Sequence, residues 1–262
     1  MHQATHVPRV RAKSAIAIAL TFAAGVVDIV SYIAVYHLFV AHMTGGTVHL
    51  GNKIAAGDWT EAAKAASVIF SFVAGSLAGR AIIEAGSRSR MRKVASLTLL
   101  VEAVLILIFI QIDRVTVNHV HESSLSLGLV CLLLSLLAAA MGLQTATLTR
   151  IGPLTIHTTF VTGMLNKFSQ AVSQWAFWVC DQRHGNASVE QILRRSFQMP
   201  AFRTAGLMSA IWLTYVGGSV AGTWMNSRWS VETLYVPLGI LLISIAVDQV
   251  QPLSIEEEIE QL

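Results

Sequence analysis

The stretches SVIFSFVAGSLAGRAI, residues 67–82, and AIWLTYVGGSVAGTWM, residues 210–225, carry the same small-residue stripe. In the first, Ser67, Ser71, Gly75 and Gly79 recur every four residues; in the second, Ala210, Thr214, Gly218 and Gly222 do so. At helical spacing such residues share one face, and their missing bulk lets a second backbone approach closely. The likeness continues upstream. FVAHMTGG (39–46) places Thr44 and Gly45 after one apolar run, and TTFVTGM (158–164) places Thr162 and Gly163 after another, with Gly25 and Gly142 at nearly the same distance before each pair. Each unit therefore reads as helix, Thr-Gly segment, small-residue helix, helix, and the chain contains it twice. A repeat with three spans enters the bilayer from the opposite side in its second copy.

Composition agrees with a membrane setting. The chain has 262 residues, 54% hydrophobic and 13% charged, with a mean hydropathy of +0.60, far from the roughly 25% charged of soluble domains. Six apolar runs are expected to span, at 14–39, 66–85, 94–112, 125–148, 204–225 and 233–247, since crossing the hydrocarbon takes about 20 helical residues. The expected fold is an all-α polytopic membrane protein forming one membrane domain over 1–262. Its halves are two inverted three-helix repeats, 14–112 and 125–247, followed by an acidic tail at 248–262.

Charge gives the orientation. Arg9, Arg11 and Lys13 precede the first run, Arg88, Arg90, Arg92 and Lys93 follow the second, and Arg150, Lys167, Arg183, Arg194, Arg195 and Arg203 lie between the fourth and fifth. The opposite loops hold Lys53, Lys64, Arg114 and Arg228. The positive-inside rule then places both termini in the cytoplasm, and the lipid bilayer is the obligatory partner. The formal charge of +3 marks topology; no basic stripe interleaved with aromatics suggests nucleic acid. The first apolar run outlasts the roughly 7 to 15 residues of a signal core and reads as a retained helix.

Asp28 lies in the middle of the first run, where a carboxylate costs about 2.5 to 3.5 kcal/mol on insertion scales. Thr21, Gly25, Ser31 and Tyr32 surround it at helical spacing, so this face should point into the bundle. It could serve as a proton or cation site or meet a cationic solute; it could equally bond Ser31, Tyr32 or nearby backbone to fix packing. The matching stripe of the fourth run has Ser135, Gly142, Thr145 and Thr149, with Gln144 beside it and no acid. The Thr-Gly segments should end or restart helices, leaving N–H groups for an anion or carbonyl, or simply turn the chain. Glu102 is expected to pair with Arg80, or Arg80 with Glu84 one turn away, and Asp248 to be interfacial.

The pairs His42 with His49 and His119 with His121 and Glu122 lack a recognised metal spacing. No G-x-S-x-G, Walker A or H-E-x-x-H pattern occurs, so no metal, cofactor or enzymatic activity is expected. Trp59, Trp175, Trp178, Trp224 and Trp229 near run ends suggest an interfacial belt. Gly75, Gly79, Gly218 and Gly222 are expected to pack helices closely more than to serve a substrate, and a homo-oligomer is a possible partner state.

At GVVDIVSY, FVAHMTGGTVHLG, MGLQTATL and TTFVTGML the chain resembles the YoaK family of bacterial inner-membrane proteins, over about 14–247. The resemblance implies about six spans in the bacterial cytoplasmic membrane and a family whose activity is not established. Asp28, Tyr32, Thr44, Gly45, Thr162 and Gly163 match the family pattern; Gly46 and Thr145 stand where asparagine is common. The functional expectation is a secondary transporter or permease for a small solute, with or without a proton. Its site would be lined by Asp28, Ser31, Tyr32, Thr44, Gly45, Gln144, Thr145, Thr162 and Gly163. The alternative is a module that binds a lipid or partner protein without transport, through its glycine stripes and acidic tail.

Overall fold

The computed structural model describes residues 6–89, 91, 93–116, 125–147, 150–151, 154–155, 161–184 and 188–250. Within them lie α1 (His6–Ser31), α2 (Met43–Ala55), α3 (Trp59–Arg88), α4 (Val94–Thr116), α5 (Leu127–Thr147), α6 (Val161–His184), α7 (Val189–Ser196), α8 (Pro200–Trp229) and α9 (Tyr235–Val250). A two-residue antiparallel pair, β1 (Arg150–Ile151) with β2 (Leu154–Thr155), follows α5. His119, His121, Glu122 and the tail glutamates lie outside the described residues.

Five described segments are long and apolar enough to cross a membrane: Lys13–Ala34, Trp59–Arg88, Val94–Thr116, Leu127–Thr147 and Pro200–Val250. The last, at 51 residues, is not one rod. A 3₁₀ turn, Ser230–Leu234, separates α8 from α9, and Ser230 at its start has φ 49°. The apolar runs overlap these five segments, but the helix ends lie elsewhere. The α-helix of the first run stops at Ser31, passes into a π turn over Tyr32–Tyr36, and His37 at φ 48° ends it two residues before residue 39. α3 and α8 begin outside their apolar runs because local chemistry starts them there. Asp58 caps α3 by accepting from the Glu61 amide at 3.2 Å, and Pro200 opens α8, a residue suited to a first helical turn.

The long basic segment read as a loop between the fourth and fifth runs contains α6 and α7. Met164 and Ala171 of α6 are buried, and the helix packs on α8. Its apolar residues are too diluted by polar ones to register as a span. α7 starts with a capping box between Ser188 and Gln191, and Trp175 Nε1 of α6 donates to Ser196 Oγ at its end, 3.0 Å away. Trp175 is thus a bridge between helices.

Two close seams organise the bundle. In one, α1 packs on α8: Gly25 meets the Tyr215 carbonyl and the Ser219 amide, Gly218 meets Phe22, and Gly222 meets Val26 and Ile29. In the other, α3 packs on α5: Gly75 meets Ala139, Gly142 meets the Phe72 carbonyl and the Ser76 amide, and Gly79 meets Leu143 and Ala146. Residue numbers rise together across each seam, so both pairs are parallel. Each has a serine rung, Ser219 Oγ donating to Gly25 O at 3.4 Å and Ser76 Oγ to Gly142 O at 3.2 Å. The glycine stripes are filled from within the chain. Gly75, Gly79, Gly218 and Gly222 each lie against a neighbouring helix of the same chain.

α4 lies between α5 and α9 and runs against both. Thr147 at the end of α5 bonds Thr98 near the start of α4, while Arg114 at the end of α4 reaches Tyr235 at the start of α9 and Glu232 in the 3₁₀ turn. Asp248, expected at the interface, is fully buried and accepts from the Ser96 amide at 3.1 Å and from the Ser96 hydroxyl. A carboxylate facing two donors across the seam tolerates burial there. The Glu102–Arg80 pair is not made: Arg80 is exposed, and Glu102 is fully buried with no hydrogen-bond partner among the described residues. Glu84 bridges Arg88 at 2.9 Å.

Leu99, Ile106, Phe109 and Ile110 of α4 meet Leu133, Leu134, Leu137 and Met141 of α5 in one core with Val26, Val27 and Val30 of α1 and Leu241 of α9. Phe70, Leu77, Leu213, Val220 and Ile243 remain exposed on the outer faces of the spanning segments. In water such a surface would be an association liability; against acyl chains it is the required exterior.

Candidate functional site

The buried polar cluster at the end of α1 is built by the chain's reversal there. After the π turn, residues 37–42 fold back over α1, burying Leu38, Val40 and Ala41. Two side chains one turn apart on α1 hold this return segment. Ser31 Oγ donates to Leu38 O at 3.1 Å, and Asp28 Oδ1 accepts from the Ala41 amide at 2.8 Å. The other carboxylate oxygen of Asp28 accepts from the Tyr215 hydroxyl of α8. Asp28 is 1% exposed, so it faces protein and not lipid.

An aromatic series leads from this carboxylate to the surface. The His42 and Tyr215 rings lie 6.1 Å apart, Phe39 meets His42 edge-on at 5.0 Å, and Tyr32 stacks on Phe39 at 4.5 Å. Tyr32 is 37% exposed, placing it at the outer end of the series and away from the inward face that carries Asp28 and Ser31. Helical spacing misassigned Tyr32 because the α-helix ends one residue before it. Tyr215 and Phe39 were not singled out from sequence; only the position of Tyr215, three residues before Gly218 in a shared stripe, hinted that it faces a partner helix.

The remaining expected site residues are spread along the bundle. Thr44 and Gly45 are exposed in the first turn of α2, directly after the segment that Asp28 holds. Thr44 does not cap the helix: His42 is the N-cap and makes no side-chain capping bond. Thr162 and Gly163 occupy the same positions in α6, where the adjacent Met164 packs with Ala17, Met208 and Ile211. Ala17 precedes Asp28 by eleven residues, about 16 Å along α1, so the two Thr-Gly turns sit at different levels. Gln144 is fully buried and donates from Nε2 to Leu20 O at 2.8 Å, two turns from Asp28. The Thr145 hydroxyl donates to Met141 O within α5 at 2.8 Å. Among the described residues no group of three or more His, Cys, Asp or Glu side chains gathers as a metal centre.

Several apolar helices of spanning length, a lipid-compatible exterior and polar groups turned inward define a multi-pass helical membrane protein. The chain belongs to the family described as Protein of unknown function (DUF1275), whose pattern it matches over residues 16–247. It is similar to the UPF0700 transmembrane protein YoaK of Bacillus subtilis (strain 168), with 25% identity over 161 residues, covering 61% of this chain and 67% of that protein. No solved structure matches it.

Proposed function

We propose that this chain is a secondary transporter or permease for a small solute, built as six spans in two inverted three-helix repeats. The observation that carries the reading is the crossed pairing of the halves. The first helix of each repeat, α1 or α5, packs against the glycine helix of the other repeat in an equivalent parallel seam, with matching glycine and serine contacts. α1 with α8 joins the two halves, and α5 with α3 joins them again.

Helix directions support inversion. The end of α4 and the turn after α8 meet through Arg114 and Glu232, 3.1 Å apart, so these helices finish on one side. α3 runs against α4 across the short turn where Gly86 meets Val94. GSLAG and GSVAG then point opposite ways, as an inverted duplication requires. The basic residues after α3 and between α5 and α8 favour a bacterial inner-membrane protein with cytoplasmic termini.

Asp28 is the residue proposed to matter most, because it ties the return segment of one half to α8 of the other. Movement of one half against the other has to stretch or release its bond to Tyr215. Purified protein in liposomes, assayed against a broad panel of metabolites with and without a proton gradient, tests the reading. Uptake that Asp28→Asn abolishes without loss of expression supports it; no uptake and no proton flux across the panel removes it. Cysteine labelling at Ser89 from the cytoplasm and at Gly57 from outside tests the orientation.

One observation favours the alternative, a module that binds lipid or protein without transport. Both oxygens of Asp28 are already bonded within the chain, as a purely structural carboxylate would be. On that reading Asp28→Asn changes stability and leaves no flux phenotype.

A further inference from the structure

We propose that Glu102, at the seam of α4 with α5 and α9, is a proton-binding site distinct from the Asp28 cluster and exchanges its proton with water. Glu102 is fully buried, and neither carboxyl oxygen has a hydrogen-bond partner among the described residues. Asp28 and Asp248, the comparable buried acids, each face two or more donors.

The groups around it offer no countercharge. α5 carries one titratable side chain, Cys131, near its far end; α9 carries Tyr235 and Asp248 at its two ends. On α3, Glu61 and Lys64 bond each other, Glu84 and Arg88 bond each other, and Arg80 is exposed. Glu232 of the 3₁₀ turn is bridged to Arg114. Nearby hydroxyls are committed as donors elsewhere, Thr98 to Ala95 O at 2.9 Å and Ser244 to Ile240 O at 2.8 Å. An ionised carboxylate cannot persist among such neighbours, because burying a charge without a partner costs far more than binding a proton. A metal ion would need several oxygen ligands, and one carboxylate does not supply them.

Asp248 lies at the Ser96 end of α4, six residues or about 9 Å from Glu102, and Asp113 lies eleven residues or about 16 Å beyond it. Asp113 is 3% exposed, and its Oδ1 has no hydrogen-bond partner among the described residues. Along α4, Glu102 thus lies at a level between Asp248 and Asp113. The exchange step is a simple transfer: the carboxyl O–H bond breaks, the proton passes to a water entering the seam, and the return protonates the carboxylate.

Infrared spectroscopy of the full chain in lipid vesicles tests this without any solute. The wild type at neutral pH should show the carbonyl stretch of a protonated carboxylic acid, shifted in D₂O and lost reversibly as pH is raised. Glu102→Gln, which preserves shape, should lose that band; Glu102→Asp should restore one, and Asp28→Asn should leave it in place. A band unchanged by Glu102→Gln would overturn the proposal. So would a Glu102 band that never shifts in D₂O, which would mark a sealed structural acid. Because no transport is measured, failure here leaves the permease reading standing, and absence of transport leaves the proton site standing.

Discussion

The α1–α8 and α3–α5 seams have the same skeleton and different polar contents. Gly25 with Gly218 repeats Gly142 with Gly75, and the serine rungs correspond. Where the first seam joins Asp28 to Tyr215, however, the second has Thr145 at the place of Asp28 and Phe72 at the place of Tyr215. Shared glycines and serines therefore belong to the architecture. The acid and its phenol belong to the α1–α8 seam alone.

The largest effect that could break the comparison is steric. Gly75→Leu and Gly218→Leu each force a side chain into the backbone of the partner helix, and overpacking of this kind costs about 1–3 kcal/mol and occasionally more. Both are expected to lower thermal stability in detergent to a similar degree, measured by size-exclusion survival after heating. Gly128→Leu, at an open position, should survive. A large loss in only one seam would mean the two are not equivalent.

Polar changes sharpen the contrast. Tyr215→Phe leaves one oxygen of a buried carboxylate without its donor and should cost about 1–3 kcal/mol; the aligned Phe72 has no hydroxyl to lose. Urea or thermal titration of the variant should show this loss, and full stability would mean that the Asp28 bond is dispensable. Ser76→Ala and Ser219→Ala should be milder and nearly equal, about 0.5–1.5 kcal/mol each.

The smallest effect lies at the helix starts. Asp58 caps α3, whereas Met199 before α8 offers no side-chain cap. The Glu61 amide, and secondarily Lys53 at 3.2 Å, holds the Asp58 carboxyl below its ordinary value. Its stabilisation is therefore present above the ordinary carboxylate range and fades as pH falls through the depressed folded value. The protection of amides in the first turn of α3, taken relative to the intrinsic exchange rate at each pH, should fall on acidification more than in the first turn of α8, and Asp58→Ala should remove that pH dependence.

Much of the frame was legible because each feature has a local cause. Long apolar runs demand helices in lipid, and a stripe of small residues every four positions demands a close neighbour. The neighbour itself was not legible: nothing local distinguishes packing of Gly218 on Phe22 from packing on another chain. Asp28 stood out as an acid in an apolar run, but its partners are Ala41, beyond a reversal, and Tyr215, 187 positions away. α6 escaped notice because its buried residues, Met164 and Ala171, are two among many polar ones.

Sequence by itself determined a multi-pass helical membrane chain with a repeated small-residue motif and acids that lipid would not tolerate. Those follow from solvation, which acts on each segment separately. Only the tertiary structure decided that the glycine stripes are spent inside the chain, that Asp28 binds a hydroxyl from α8, and that Glu102 finds no such donor among the described residues. Those outcomes depend on which helix lies opposite, a choice made by steric fit between distant segments.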